Sequence, residues 1–236
     1  IDGELGAKSP YVAMTSSLIE RFPIEGGRLI IEPDASSGSY FWAAGYILSV
    51  DNGLPIRVAR WPKSGWQIDA EFPNFLPLPN VVSRLNDLGD SIMTSIVIAP
   101  LANHQTQFIN LERLRLQECE RVQALRVELT KCGAEIKETD DALTISPGEL
   151  KGAEIETYDD HRIAMAFFCL GQILNGKIEI NNFQTVNTSF SKFLKTQKFW
   201  SPWVGIVSLK FLSNTCILKP YYRAIEIHKT LSKRTL

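Results

Sequence analysis

A chain of 236 residues that is 44% apolar and 22% charged can bury one substantial core or two small ones, which argues against disordered and membrane-spanning classes. Its formal charge of -1 hides an asymmetry: from Gln197 onward there are seven Lys or Arg against the single acid Glu226, while the preceding 196 residues are acidic. The basic residues of the tail are scattered among apolar ones, so a solvated face is expected there and not a nucleic-acid surface.

No apolar run reaches spanning length, because the longest candidate, Val204 to Leu218, is interrupted by Lys210 and Asn214. The four cysteines, Cys119, Cys132, Cys169 and Cys216, form no CxxC pair and have no metal-ligand spacing with His104, His161 and His228. They read as reduced, mostly buried thiols of a cytoplasmic protein. Asn187-Thr188-Ser189 fits a glycosylation sequon, read as accidental. The chain starts at Ile1 and not at Met, so a fragment, a processed product or an incomplete reading frame is expected.

In chain order, the stretch from Asp51 to Leu78 gives no clear pattern. Asp90 opens an apolar segment of helical spacing (Ile92, Met93, Ile96, Val97), with Asp90 itself a candidate N-cap. Thr106 to Leu111 alternates like a strand, a helix is expected from about Gln117 to Lys131, and Gly133 is placed to cap its end. Ala134–Glu138 and Ala142–Ile145 flank Thr139-Asp140-Asp141 as a hairpin. Asp160 can then cap a helix carrying Ile163, Ala164, Phe167 and Leu170, followed by a strand over Lys177–Asn182 and a short helix over Ser189–Leu194. The same order of helix and strand recurs at an offset of about 70 residues, which implies one supersecondary unit used more than once.

The segment Glu156 to Met165 carries the strongest chemical signal. His161 and Arg162 fall in the first turn of the helix that Asp160 caps, where free N–H groups and the helix dipole already favour negative charge. A purely structural helix start would carry acids there, so an acidic ligand is the expected guest.

"ETYDDHRIAMAF" resembles the "TYNDHRMAM" signature of the 5-enolpyruvylshikimate-3-phosphate (EPSP) synthase family. Three other blocks resemble that family in order: Asp34 to Tyr40 ("DASSGSY" for "DASSASY"), Asp90 to Thr94 ("DSIMT" for "PDAAMT"), and Arg115 to Glu135, similar to "RVKETDRL…TELRKLGAEV". The resemblance runs from about Ser9 to about Leu194. It implies an α/β (α+β) fold, a lobe of repeated βαβαββ units with helices inside and sheets outside (an inside-out α/β barrel), with most of the partner lobe missing. The domains expected are 1–30, the remnant of the first substrate lobe; 31–196, the C-terminal enolpyruvyl transferase lobe; and 197–236, a non-homologous basic tail.

The implied reaction moves the enolpyruvyl group of phosphoenolpyruvate to shikimate 3-phosphate, without metal or organic cofactor. By resemblance Asp90 is the base and orienter, Glu118 the group that transfers a proton at the methylene carbon, and Arg121 and Arg162 the two guanidinium clamps on the phosphoenolpyruvate carboxylate. His161 would bond nearby and Tyr11 would contact shikimate 3-phosphate. The expected partners are these two substrates and a complementary N-terminal lobe, with neither nucleic acid nor membrane. Four departures stand out: Gln117 in place of the "KETDR" lysine, Cys119 and Glu120 for threonine and aspartate, Arg113 near a substrate-contacting asparagine, and Thr188 where the family has a phosphoenolpyruvate-binding lysine. Two alternatives remain open. One is a non-catalytic lobe binding an anion or a partner chain; the other is a relative of UDP-N-acetylglucosamine enolpyruvyl transferase.

Overall fold

The computed structural model of the protein describes residues 10–52, 58–174, 178–193, 207–210 and 215–216. Helix α1 (Pro10–Arg21) buries no residue fully and leads to α2 (Ala35–Asn52), whose start is closed by Asp34, an acceptor for the Ser37 amide at 3.2 Å. The previously unreadable stretch contains a 3-10 helix, Ile68–Phe75, that packs against α2.

A complete βαβαββ unit follows. Its elements are β1 (Val81–Ser83), α3 (Ile92–Ile98), β2 (Thr106–Ile109), α4 (Arg121–Lys131), β3 (Ile136–Thr139) and β4 (Ala142–Ile145). The four strands form one sheet in the order β1-β2-β4-β3, with β1 and β2 parallel, β2 and β4 antiparallel, and β3 and β4 the expected hairpin. A second unit begins with β5 (Glu154–Ile155), α5 (His161–Ile173) and β6 (Ile178–Ile180). There the pattern changes: β6 pairs in parallel with β7 (Val207–Lys210), which pairs antiparallel with β8 (Thr215–Cys216). The expected boundary at residue 196 therefore falls between two hydrogen-bonded strands. The rest of the basic tail lies outside the described residues.

Helices α2, α3, α4 and α5 pack on one another. Every residue of α3 is buried, and so are Ile163 to Leu170 of α5, so both helices are apolar all round as interior helices must be. This puts the helices inside and leaves the sheets to cover them. Tyr40, Phe168, Phe183 and Phe193 close one end, with ring pairs 5.4–6.3 Å apart. Among the described residues no helix is long and apolar enough to cross a membrane.

Two local expectations are corrected. Asp90 does not cap α3: Ser91 occupies the cap position, and the Asp90 carboxylate is bonded to side chains instead. The helix expected from Gln117 starts at Arg121, because Glu120 takes the cap by accepting the Gln123 amide and the chain before it is a 3-10 turn, Glu112–Leu116. A 3-10 helix at Phe183–Thr188 precedes the helix expected over Ser189–Leu194, of which Phe193 is helical and Leu194 lies outside the described residues. The end of α4 is as read: Gly133 adopts φ +94° and its amide bonds the Thr130 carbonyl at 2.9 Å.

Gly38 of α2 stands where the resembling motif has alanine, and Trp61 explains it. A Cβ on Gly38 would overlap the Trp61 ring, which is pinned by its Nε1–H donating to the Ala70 carbonyl at 2.8 Å and by edge contact with Trp42. Gly38→Ala gains about 1 kcal/mol of helix propensity but must displace this ring, at a cost of about 1–3 kcal/mol. Urea denaturation should find Gly38→Ala less stable than the parent and more stable than the parent in a Trp61→Ala background. Stabilisation in both backgrounds would refute the steric account.

Candidate active site

The site is assembled where the segments preceding α3, α4 and α5 meet. Asp160 is fully buried and caps α5, accepting from the amides of Arg162 at 2.7 Å and Ile163 at 3.4 Å. Its second oxygen receives the Arg121 Nε–H at 2.6 Å, so one carboxylate both starts α5 and joins it to α4. Arg121 is itself fully buried. Its Nη1–H donates to the Gln117 Oε1 at 2.8 Å, and Nη2 lies 2.6 Å from the Glu118 Oε2. Glu118 precedes the helix, and its side chain, 46% exposed, lies on the outer side of Arg121.

Asp90 is the meeting point of three cations. Arg84 Nη2 donates to its Oδ1 at 2.7 Å, Arg162 Nη2 lies 3.3 Å and Arg121 Nη1 4.0 Å from its Oδ2, and the Gln117 amide approaches Oδ1 at 3.4 Å. Burial alone would raise the Asp90 carboxyl, but Arg162, Arg84 and Arg121 outweigh it and hold it below its ordinary 3.8. The Asp90 amide donates to the Tyr11 hydroxyl at 3.1 Å, which brings α1 to the same rim. Burial raises the Tyr11 phenol, and the neighbouring Asp69 and Asp90 charges add to the effect.

The structure thus brings Tyr11, Asp90, Glu118, Arg121 and Arg162 into one network, with His161 beside them in the first turn of α5. Thr188 stays at the edge, exposed, its hydroxyl donating to the Thr185 carbonyl at 2.7 Å. Arg113 is exposed in the 3-10 turn before α4.

Two further residues belong to the network and were not singled out from the sequence. Asp69 is buried and receives the amides of Gly89 at 2.7 Å and Ser91 at 3.3 Å, the Ser91 hydroxyl at 2.5 Å and the Ser36 hydroxyl. It fixes the backbone on both sides of Asp90. Burial pushes its carboxyl above the ordinary 3.8 although Ser36 and Ser91 pull the other way. It also borders a cavity of about 180 Å³ lined by Tyr11, Met14, Asp34, Ser36 and Trp66. Arg84 is the other missed residue: it lies in the segment after β1 with a side chain 7% exposed. The sequence signal that could have found it is an arginine six residues before Asp90.

The loop before α5 is held in an uncommon conformation. Tyr158 and Asp159 have φ of 54° and 57°, the left-handed region that non-glycine residues rarely enter. Glu128, fully buried on α4, accepts the Tyr158 hydroxyl at 2.7 Å, the Glu156 amide at 3.1 Å and the Lys131 ammonium at 2.8 Å. From the other side Thr185 donates to the Asp159 carbonyl at 2.6 Å and Asn182 to its carboxylate. Among the described residues no cluster of three or more His, Cys, Asp and Glu could hold a metal ion. The arrangement can do two things chemically: hold oxyanions on guanidinium groups, and exchange protons through Asp90 and Glu118.

The fold is one already seen in solved enzymes. A structure of EPSP synthase from Acinetobacter baumannii superposes with a TM-score of 0.53 at 20% identity, covering 74% of this chain and 48% of that one. A second structure of that enzyme gives 0.51 at 19% identity over the same shares. A lobe of the EPSP-synthase α/β class is therefore what the architecture defines. The family model for EPSP synthase (3-phosphoshikimate 1-carboxyvinyltransferase) matches residues 70–196. The 3-phosphoshikimate 1-carboxyvinyltransferase of Methanococcus aeolicus is 34% identical over 71% of this chain and 43% of its own length. That of Nostoc punctiforme is 35% identical over 72% and 48% respectively. The chain belongs to the EPSP synthase family, and it spans about half the length of the curated relatives it matches.

Asp160→Asn separates the two duties of that residue. An asparagine still caps α5, but it leaves Arg121 buried against a neutral group, so a loss of roughly 3–5 kcal/mol is expected in urea unfolding. A loss under about 1 kcal/mol would mean that Glu118 and Asp90 already neutralise Arg121.

His161 gives a pH test. Burial holds its imidazole below the ordinary 6.5, against the pull of Asp160 and with help from Arg162. Because the folded value is depressed, its contribution to stability is complete above pH 6.5 and is lost as pH falls through the lower folded value. His161→Asn should flatten the stability profile in that window; an unchanged slope would remove His161 as its source.

Proposed function

We propose that this chain is the C-terminal portion of a 3-phosphoshikimate 1-carboxyvinyltransferase, a cytoplasmic enzyme of aromatic amino-acid synthesis that transfers the enolpyruvyl group of phosphoenolpyruvate to shikimate 3-phosphate. Residues 31–196 form its main lobe, 1–30 belong to the preceding substrate lobe, and 197–236 form a basic tail whose strands β7 and β8 add to the lobe's second sheet. The observation that carries the reading is the convergence of the Arg84, Arg121 and Arg162 guanidinium groups on the single carboxylate of Asp90, with Glu118 at the rim.

In this reading Asp90 accepts the proton of the attacking hydroxyl, the hydroxyl oxygen bonds to C2 of phosphoenolpyruvate, and Glu118 gives a proton to the methylene carbon. The tetrahedral adduct then returns a proton from that carbon and expels phosphate, which restores the double bond. Arg121 and Arg162 hold the carboxylate and phosphate, His161 hydrogen-bonds beside them, and Tyr11 contacts shikimate 3-phosphate. Among the described residues the buried Nε–H groups of Arg84 and Arg162 have no acceptor, which favours an added oxyanion.

The charge balance also gives Asp90 its timing. With three guanidinium groups close by it is a weak base, and an arriving carboxylate or phosphate that shares those cations raises its proton affinity. Binding and base strength are then coupled. Glu118 must swing off Arg121 when the ligand arrives, which delivers its carboxyl to the reacting carbon.

The test is phosphate release from phosphoenolpyruvate with shikimate 3-phosphate. The chain alone should give no measurable turnover, because Thr188 cannot supply the cation of the family lysine and a complementary N-terminal lobe is needed to close the site. Adding that lobe from a relative and making Thr188→Lys should raise the rate by more than the product of their separate effects. Strictly multiplicative gains, or turnover by the unmodified chain, would count against it.

A further inference from the structure

Gln117 occupies the position at which the resembling motif carries lysine, yet the acid it reaches is not short of a cation. Gln117 Nε2 and Arg84 Nη2 converge on the same atom, Asp90 Oδ1, at 3.4 and 2.7 Å. Arg84 comes from a different element, the segment after β1, and its backbone amide is anchored to the Ile109 carbonyl at 3.0 Å. Its side chain is 7% exposed, and among the described residues its ion pair is with Asp90.

We propose that Arg84 has taken over the positive charge that the family motif puts at position 117, and that Gln117 is retained because it bonds at both ends between Asp90 and Arg121. The glutamine does what a lysine cannot. Its carbonyl accepts the Arg121 Nη1–H at 2.8 Å while its amide donates toward Asp90, whereas a lysine ammonium has only donors and would face Arg121 with like charge. A lysine added to Arg84, Arg121 and Arg162 would also make a fourth cation around Asp90. Arg84 and Gln117 are therefore one coupled choice: arginine with glutamine, or a neutral residue with lysine. In the transfer reaction Arg84 is a positioning residue that sets the charge state of the base.

The groups that face Asp90 are Tyr11 from α1, Asp69 from the 3-10 helix, Arg84 after β1, Arg121 from α4 and Arg162 from α5. All of these stay constant in the experiment except Arg84. The inference depends on the transfer reading only for the name of the reaction that Asp90 serves, so its test uses no substrate.

The Asp90 carboxyl is titrated by carbon NMR in the full chain, with Asp90→Asn to assign the signal. Arg84→Gln should raise its pKa by about one unit, a tenfold gain in proton affinity. Arg84→Gln with Gln117→Lys should return it to within a few tenths of the parent, and Arg84→Lys should leave it near the parent value. Gln117→Lys alone should lower the urea midpoint, and the same change should raise it in the Arg84→Gln background, a sign reversal that a purely structural arginine would not produce. If Arg84→Gln does not fold, recovery of the fold by Gln117→Lys supports the exchange and failure to recover overturns it. An Asp90 titration unchanged by Arg84→Gln, or not restored in the double variant, overturns it too. Phosphoenolpyruvate calorimetry, run separately on the parent with a complementary N-terminal lobe added, separates the two ideas: restored titration without any ligand affinity would defeat the transfer reading and leave the charge exchange standing.

Discussion

The buried ion pair between Arg121 and Asp160 is the contact on which the site is built. Both side chains are fully buried, and neither could remain there alone, since an uncompensated interior charge costs several kcal/mol. The pair is satisfied by more than its mutual attraction: Asp160 spends its other oxygen on the first amides of α5, and Arg121 donates through Nη1 to Gln117 and pairs its Nη2 in charge with Glu118. Because one partner starts α5 and the other starts α4, the two helices cannot slide without breaking a charge pair. The aim of Arg162 is set by that constraint, in the first turn of a helix whose first amides are already held.

Around this pair the polar groups form a nearly neutral set. Three guanidinium groups meet the carboxylates of Asp90, Asp160 and Glu118, with Asp69 behind them, its carboxyl raised above the ordinary 3.8 by burial. Such a set is stable without a ligand and still responsive to one. A second anion can displace Glu118, the one carboxylate that is substantially exposed, without stranding a buried charge. The buried members hold position, and the exposed one exchanges.

The sequence made α5 and its cap legible because an aspartate directly before an apolar run of helical spacing has few other uses. The hairpin and the end of α4 were legible for similar local reasons, including the positive φ at Gly133. Asp90 was found by motif but misassigned as a cap. Local spacing cannot tell a side chain that turns back to its own helix from one drawn away by Arg84 and Arg162. The start of α4 was misjudged because Glu118 and Glu120 are both plausible near a helix start, and only the geometry gives the cap to Glu120. Asp69 and Arg84 escaped notice since each acts across a long sequence separation or from an irregular segment that has no period to read. Trp61 shows the same limit: the reason for Gly38 lies 23 residues away in the sequence.

The two left-handed residues at 158 and 159 carry a strain of order 1–3 kcal/mol each, and the clamps from Glu128, Thr185 and Asn182 keep it in place. A loose loop of this length would have to be frozen by its ligand, at about 1–2 kcal/mol of entropy for each ordered residue. Here the freezing is completed when the chain folds, so an arriving anion meets a site whose geometry is already set. The loop is also stapled on one side to α4 and on the other to the turn that ends at Thr188. Changes in that turn would therefore reach the loop before α5 and the start of α5 through the chain itself, so position 188 is tied mechanically to the first turn that carries Arg162.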